Sequence, residues 1–289
     1  MLFRSFVQGE DNRPLPSDRV QFGGWRLGPW YVLDGTHPEV QGHFARLFAT
    51  MRKEWGVPYF KLDATFWGML RGGRLHDPNA TRVEAYRRGM AAIRSGAGEG
   101  AYLLGCNHPI WPSLGLIDGS RSSLDIDRNW RSVMRTGREN LLRGWQNGVL
   151  WWNDPDTLVT TGLPPQEARF HATLVHATGG AMLAGDDLAA LDPIRGEVIR
   201  SLSHPTGIAA SFADLSLEVG VMHLPGDVLR YAVFNWSELP QSPRVEVPAG
   251  RRMRDIWTGA DMGVSTGVLE LGELPAHSAR LFDALPAGS

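Results

Sequence analysis

Apolar residues in the first two thirds of the chain recur at two different spacings. After Pro38 they fall every three or four positions, at Val40, Phe44, Leu47, Phe48 and Met51, which predicts an amphipathic helix that begins near this proline. The same spacing predicts further helices near 83–93, 130–147, 165–178 and 187–202. Short, nearly continuous apolar runs separate the helices and predict buried strands near 31–34, 58–63, 102–106, 114–118, 149–152 and 181–183.

Strands that alternate with helices of about 12–18 residues predict βαβ units and a parallel sheet. We therefore expect an α/β fold over residues 1–212, with an irregular segment at 1–30. About five to six parallel strands are predicted, whereas a closed (β/α)8 TIM-type barrel has eight. The predicted barrel is therefore partial.

The pattern changes near Ala213. Short segments of alternating apolar and polar residues, such as 228–236, 243–247 and 268–271, follow one another between proline and glycine turns. This part of the sequence has no long helical period. It predicts a C-terminal antiparallel β-sandwich domain over residues 213–289.

Polar and charged residues repeatedly follow the predicted strands, at the edge where (β/α)8 barrels hold their active sites. The strand at 58–63 ends in Lys61-Leu-Asp63, and because side chains alternate along a strand, Lys61 and Asp63 point to the same face. Burying such a charged pair is costly unless its members are matched and used. Taken alone, the pair fits a structural ion pair at the strand end as well as it fits a functional site.

A second polar cluster spans residues 118–130, at a predicted junction between strand and helix, and contains Arg121 and Asp125. One interpretation is a helix N-cap formed by Asp125 or by one of the two serines after Arg121. The other is a site in which an aspartate of this junction faces Asp63 across the barrel mouth. Two carboxylates about 5–5.5 Å apart suit a retaining glycosidase, with one as nucleophile and the other as acid/base.

Composition and charge exclude several kinds of partner. The formal net charge is −2 at pH 7, so we expect neither nucleic acid nor an anionic membrane as a partner. The single cysteine, Cys106, excludes an intramolecular disulfide framework. No signal-peptide core and no run of about 18 apolar residues is present, so we expect a cytoplasmic location and no membrane span.

Motifs for cofactors and metals are absent or weak. The nine histidines show no His-x-x-x-His or Cys/His spacing, so we expect no metal. We expect no cofactor, because no Gly-x-Gly-x-x-Gly or P-loop pattern is present and Gly23-Gly24-Trp25 is too short to bind phosphate. His108, close to the predicted site, is interpreted as a loop residue that forms hydrogen bonds.

Several motifs together resemble a known family. They are, in chain order, Phe60-Lys-Leu-Asp63, Leu103-Leu-Gly-Cys106-Asn-His-Pro, Asp118-Gly-Ser-Arg121-x-x-x-Asp125, Asn153-Asp-Pro-Asp156 and Leu274-Pro-Ala-His-Ser-Ala-Arg-Leu281. This order is similar to that in the glycoside hydrolase family 36 α-galactosidases, which are melibiase-like enzymes of clan D. The resemblance covers nearly the whole chain. It implies a retaining hydrolase that removes terminal α-D-galactosyl residues from oligosaccharides or glycosides through a covalent glycosyl-enzyme.

The resemblance also implies roles for individual residues. Asp63 resembles the family's nucleophile. Asp125 resembles the acid/base, which protonates the leaving oxygen and later activates water. The residues similar to positions that contact sugar hydroxyls are Lys61, Cys106 and Arg121. Asp118 is either a further sugar contact or a supporting residue.

Elementary electrostatics agrees with these roles. Lys61, together with Arg121, would favour the ionised form of the nucleophile Asp63. A less paired Asp125 would retain the proton that a general acid needs. The aspartates of the 153–156 run are expected to tie down a strand end rather than to contact substrate.

The chain departs from the family pattern at its start, since it lacks counterparts of the N-terminal β-domain and of the first barrel strands. In the family those strands bind the galactose C4 and C6 hydroxyls, so galactose specificity rests on the resemblance alone. Open sheet edges favour pairing with another chain, so we expect a homo-oligomer or a substitute wall formed by residues 1–30. Two alternatives stay open, a truncated and catalytically silent fragment that binds sugar weakly or only assembles, and a related retaining α-glycosidase or transglycosidase for another sugar.

Overall fold

The structure is a computed structural model and describes residues 3–16, 30–202 and 204–286. Gly23, Gly24 and Trp25, considered above for phosphate binding, lie outside these ranges. The chain forms two compact units, residues 1–120 and 121–289. Within the described ranges, none of the helices combines the length and the apolar character that a membrane crossing requires.

The first unit contains two helices that lie where the apolar spacing predicts them. α1 (Pro38–Lys53) has a proline at its first position, where the missing N–H costs nothing. α2 (Arg82–Ala97) begins at a capping box, in which the side chains of Thr81 and Glu84 each accept a hydrogen bond from the other's backbone N–H. α2 ends at Gly98, whose φ of +74° favours glycine.

Three parallel strands accompany these helices. They are β1 (Tyr59–Asp63), β2 (Tyr102–Cys106) and β3 (Gly119–Arg121), the last residue of which opens the second unit. β1 and β2 pair over their whole length, so that Asp63 lies opposite Cys106. β2 continues the sheet by pairing with β3. In a parallel sheet all carboxyl ends lie at one edge, and here that edge carries Asp63.

The two faces of β1 have different environments. Phe60 is buried, and its ring centroid lies 5.2 Å from that of Phe48 in α1, so a helix covers this face. Lys61 and Asp63 alternate with Phe60 and are both exposed. The common face predicted for Lys61 and Asp63 is therefore confirmed.

The second unit begins with further βα structure. Its elements, in chain order, are α3 (Trp130–Leu142), β4 (Trp152–Asp154), β5 (Thr157–Leu158), α4 (Pro165–Ala177), β6 (Leu183–Ala184) and α5 (Pro193–Ser201). Within this unit β5 pairs with β6 in parallel. The N-cap of α3 is Asn129, so neither Asp125 nor the serines before it cap this helix.

Antiparallel strands form the rest of the second unit. They are, in chain order, β7 (Ser211–Phe212), β8 (Val219–Leu224), β9 (Val228–Asn235), β10 (Arg244–Glu246), β11 (Arg252–Asp255), β12 (Asp261–Val264), β13 (Val268–Glu270) and β14 (Ser278–Leu285). Six lie side by side in the order β12-β11-β14-β9-β8-β7, while β10 and β13 form a separate pair. Val233 of β9 and Val245 of β10 share one hydrophobic core, so the two sheets pack together as the predicted sandwich.

Several element boundaries differ from the prediction. Residues 114–118 form no strand, because Gly115 has a φ of +76° and turns the chain, and β3 begins only at Gly119. The run at 31–34 makes isolated antiparallel bridges instead of a strand. β4 begins at Trp152 rather than at 149, and the last helix begins at Pro193 rather than near 187.

Antiparallel strand pairing begins with β7 at Ser211, two residues before the boundary predicted at 212/213, and the two compact units divide at 120/121. Phe170 and Leu174 of α4 lie in the same buried core as Phe234 of β9 and Leu281 of β14. Helices and sheet thus share one hydrophobic core, which a change in composition along the chain does not reveal.

A buried histidine makes the stability of the second unit depend on pH. His176 of α4 is 3% exposed, and Arg230 donates a hydrogen bond from Nη1 to its Nε2 at 2.9 Å. Arg230 also forms two hydrogen bonds with the carboxylate of Asp283. Burial, followed by the charge of Arg230, lowers the pKa of His176 from 6.5 to about 4.

The unfolded chain binds this proton at higher pH than the folded chain does. The stabilisation is therefore complete above pH 6.5 and is lost as the pH falls from 6.5 towards 4. We expect the free energy of unfolding to fall by about 2 kcal/mol more between pH 7.5 and 5 in the parent than in His176→Gln. Urea unfolding at the two pH values measures this difference. His223→Gln, at an exposed histidine of β8, should behave like the parent, and equal pH dependence in parent and His176→Gln would refute the assignment.

Candidate functional site

Asp63, the last residue of β1, is the strongest candidate for chemistry in the first unit. Its Oδ1 accepts hydrogen bonds from the Ala64 backbone N–H at 2.7 Å and from Asn107 Nδ2 at 3.0 Å. Within the part of the chain that the structure describes, no hydrogen bond reaches Oδ2. One carboxylate oxygen is thus held in place, and the other is available to a ligand.

The turns beside Asp63 have an uncommon backbone conformation. Ala64 has a φ of +56°, and Asn107, which follows β2, has a φ of +46°. Two backbone hydrogen bonds join the turns, from Ala64 N–H to the Cys106 carbonyl and from Phe66 N–H to the Asn107 carbonyl. Such strain persists only where the surroundings fix it, and it is concentrated at functional sites.

Lys61 and Cys106 accompany Asp63 in the sheet. Lys61 is exposed two residues earlier on the same face, and Cys106 is buried opposite Asp63 in the register. Among the described residues no ion pair joins Lys61 to Asp63. The predicted charged pair is therefore two separate exposed side chains, and Lys61 can donate to a ligand.

Asp118 lies at the other edge of the sheet. Its Oδ2 accepts hydrogen bonds from Arg94 Nη2 at 2.7 Å and from the Leu103 backbone N–H at 2.8 Å. Leu103 is near the start of β2, and Asp118 directly precedes β3, so both lie at the amino-terminal edge. Asp118 joins α2 to the sheet, and we leave it out of the proposed sugar site. The strand predicted at 114–118 placed Asp118 at the carboxyl edge, as either a sugar contact or a supporting residue, whereas β3 begins only at Gly119.

In the second unit, Arg121 connects two carboxylates. Its Nη2 lies 2.8 Å from Asp125 Oδ1 and 2.8 Å from Asp156 Oδ2. The Asp156 side chain is 14% exposed and also accepts a hydrogen bond from the Ile126 backbone N–H. The Asp125 side chain is 89% exposed. The prediction of a less paired Asp125 is therefore wrong, since it shares the guanidinium with a nearly buried partner.

The 153–156 run holds the strand end, as predicted. Asp154 Oδ1 accepts a hydrogen bond from the Asp156 backbone N–H at 2.9 Å, and Asp156 bonds Arg121 and the chain at Ile126. Asp156 and Asp125 thus share Nη2 of the Arg121 guanidinium. Asp156 thus supports the predicted acid/base indirectly, which the sequence analysis did not foresee.

Asn107 is the other residue that the sequence analysis missed. It is the first residue after β2, at the edge where polar residues gather, and this position was the available signal. The bond from its side chain to Asp63 joins residues that are far apart in sequence, which no local pattern reveals. Asp63 belongs to the first unit and Asp125 to the second, so the sugar-sized gap predicted between them stays a prediction.

Comparison with known proteins gives no match to a protein-family model, but solved structures match the fold. A GH27 β-L-arabinopyranosidase from Geobacillus stearothermophilus has a TM-score of 0.77 at 18% identity, over 99% of this chain and 68% of its own. The α-galactosidase I from Mortierella vinacea has a TM-score of 0.65 at 16% identity, over 83% and 71%. An isomalto-dextranase from Arthrobacter globiformis T6 has a TM-score of 0.63 at 18% identity, over 91% and 51%.

These identities establish the fold alone. The chain has the barrel-and-sheet fold of TIM-barrel glycosidases and spans 51–71% of the length of the three structures. The arabinopyranosidase is described as a family 27 protein, so the likeness to family 36 in particular is not confirmed. The resemblance drawn from the motifs agrees with the fold at the coarser level of the barrel and its C-terminal sheet.

Proposed function

We propose that the chain is the catalytic part of a retaining glycoside hydrolase that removes terminal α-D-galactosyl residues. The observation that carries the proposal is Asp63, an exposed carboxylate at the carboxyl edge of a parallel sheet. Two donors hold its Oδ1 and leave Oδ2 for a ligand. The fold, which an α-galactosidase shares, supports a glycosidase, and the motif resemblance supports galactose.

In the proposed first step, Asp63 Oδ2 forms a bond to the anomeric carbon while the bond from that carbon to the glycosidic oxygen breaks. The acid role requires Asp125 to carry a proton although it contacts Arg121. In this step Asp125 gives that proton to the departing oxygen, so the aglycone leaves as a neutral alcohol. In the second step Asp125 takes a proton from water as the water oxygen bonds to the same carbon. Asp63 leaves as a carboxylate, and the two inversions restore the original configuration.

The neighbouring residues have supporting roles in this proposal. Lys61 is exposed on the same face as Asp63 and would donate a hydrogen bond to a sugar hydroxyl. Arg121 would orient Asp125, because the nearly buried Asp156 holds the same guanidinium nitrogen, Nη2, in place. Cys106 would form part of the site floor, next to Asp63 in the sheet.

A panel of 4-nitrophenyl glycosides tests the reaction and the sugar together. The β-L-arabinopyranoside matches the α-D-galactoside in ring configuration but lacks its hydroxymethyl group. The α-D-glucoside differs from the α-D-galactoside only in its configuration at C4. We expect the highest kcat/KM with the α-D-galactoside and NMR detection of the α anomer as first product. Preference for the arabinoside is the second candidate, favoured by the fold match to an arabinopyranosidase over 99% of the chain.

The same aryl glycosides can also test whether activity depends on the oligomeric state. We propose a homo-oligomer, so specific activity should follow the oligomer fraction when solution mass and hydrolysis are measured over one range of concentrations. Hydrolysis of none of these glycosides in any assembly state would overturn the enzyme proposal and favour the silent fragment. A preference for the glucoside would instead place the chain among glycosidases for another α-linked sugar.

A further inference from the structure

A network of hydrogen bonds between polar side chains lies next to the turn that follows β2 and is centred on His108. Its Nδ1 lies 2.9 Å from Ser113 Oγ, and its Nε2 lies 2.8 Å from Ser120 Oγ. Ser113 is 0% exposed and Ser120 1%. Tyr86 of α2 adds its hydroxyl at 2.7 Å from Ser113 Oγ. All of these residues belong to the first unit.

The hydrogen bonds of this network are consistent with the following assignment of donors and acceptors. Ser113 donates its hydroxyl proton to the Pro109 carbonyl at 2.7 Å, so its oxygen accepts from Tyr86 and from His108 Nδ1–H. Ser120 then donates to His108 Nε2, which is the acceptor of a neutral ring. Burial lowers the pKa of His108 below its usual value of 6.5, in agreement with a neutral imidazole.

Packing fixes the same ring sterically. A Cβ added to Gly105 of β2 would lie 2.7 Å from His108 Cδ2 and 2.9 Å from Ile117 Cδ1. The imidazole therefore lies directly against the strand backbone, at a position that only glycine leaves open. Hydrogen bonds at both nitrogens and this close contact leave the ring a single orientation.

The ring adjoins Asn107 in the chain. Asn107 has a φ of +46°, its carbonyl accepts a hydrogen bond from Phe66 N–H, and its Nδ2 donates to Asp63 Oδ1. With His108 anchored on one side and Phe66 on the other, the amide of Asn107 is held against the carboxylate. Because its neighbours already hold Asn107 in place, its side-chain amide loses less conformational freedom when it forms the hydrogen bond with Asp63.

We infer that Asn107 and His108 are positioning residues for Asp63, with Asn107 holding Oδ1 and His108 acting through Asn107. This inference rests on the proposed role of Asp63 as nucleophile. The bond from Asn107 fixes Oδ1 and so keeps Oδ2 aimed at the anomeric carbon. It contacts the carboxylate rather than the sugar, so its loss should affect kcat more than KM.

Asn107→Gly tests the first part, because glycine keeps the left-handed turn and removes only the side chain. We expect kcat for the preferred aryl glycoside to fall about 10- to 100-fold, with KM changed by less than about threefold. Asn12→Gly is the matched control, since Asn12 is also left-handed, at φ +62°, and bonds Arg74. Equal effects of the two substitutions would overturn the inference.

His108→Phe tests the second part in a double-mutant cycle. Phenylalanine keeps a ring against Gly105 but loses both nitrogen contacts. If His108 acts through Asn107, the loss in kcat caused by His108→Phe should nearly disappear in the Asn107→Gly background. Additive losses would show that His108 acts independently and would overturn its assignment. Circular dichroism of each variant establishes that the chain is folded.

A measurement without turnover separates this inference from the proposed function. The ¹³C chemical shift of the Asp63 carboxyl carbon, assigned by its loss in Asp63→Asn, is recorded at a single neutral pH. Because Asn107 Nδ2 donates to Asp63 Oδ1, this chemical shift should change in Asn107→Gly and stay the same in Asn12→Gly. A changed chemical shift in a protein that cleaves no glycoside would support the positioning contact and refute the hydrolase. An unchanged chemical shift in an active enzyme would overturn the positioning contact and leave the hydrolase in place.

Discussion

Replacement of Asp63 by alanine is expected to lower kcat on the preferred aryl glycoside by about a thousandfold or more. The proposed mechanism needs a carboxylate to form the glycosyl-enzyme, and alanine can neither bond to the anomeric carbon nor balance the charge that develops there. The side chain is exposed and its loss removes no core contact, so the fold should persist. Steady-state kinetics together with the melting temperature of the variant measures both effects.

Azide makes this experiment specific. It is small enough to enter the space that the carboxylate leaves, and it would attack the anomeric carbon from the face that Asp63 uses. The product would be the glycosyl azide of inverted configuration, which NMR identifies. Asp118→Ala is the matched control, because Asp118 is at the opposite edge of the same sheet and bonds Arg94. It should lower the melting temperature and leave kcat within about twofold. Activity of Asp63→Ala within tenfold of the parent would refute the nucleophile.

Elements that are set by local periodicity could be predicted from the sequence. α1 and β2 lie where the apolar spacing puts them, because one strongly amphipathic face or one buried run decides each of them. The shared face of Lys61 and Asp63 follows from strand alternation and needs no tertiary information. The carboxyl edge as the place of chemistry follows from the parallel sheet.

Other features depend on backbone conformation that periodicity does not encode. The apolar run at 114–118 has the composition of a strand, but Gly115 takes a left-handed conformation and delays β3 until Gly119. That shift of a few residues moves Asp118 from one edge of the sheet to the other. Glycine is compatible with both outcomes, so the residue type alone could not decide between them.

Contacts between distant residues are the second kind of feature that the sequence hides. The motif containing Arg121 and Asp125 indicates a pair four residues apart. The guanidinium of Arg121 also bonds Asp156, which lies after β4 and is far away in the sequence. The partner of Asp63 is likewise the turn residue Asn107 of the neighbouring strand. Both contacts follow from strand order and register, which are properties of the folded sheet.

Asp125→Ala is expected to have an effect that depends on the leaving group. A general acid contributes about 10²- to 10⁴-fold when the departing oxygen needs a proton. We therefore expect a loss in that range for an alkyl or disaccharide substrate. For 2,4-dinitrophenyl glycosides the first step needs little protonation, so hydrolysis of the glycosyl-enzyme should become rate-limiting and the intermediate should accumulate. Burst kinetics and mass spectrometry of the intact protein detect it.

The outcome with azide distinguishes Asp125 from Asp63. Azide needs no general base, so it should attack the accumulated intermediate of Asp125→Ala and give the glycosyl azide of retained configuration, opposite to the product of Asp63→Ala. Asp127→Ala is the matched control, an exposed aspartate two residues later whose Oδ1 bonds the Arg128 backbone N–H. If Asp125→Ala loses the same factor on every leaving group, or if azide gives the inverted product, Asp125 is not the acid/base. The ion pair with Arg121 would then be a structural contact that holds the chain ahead of α3.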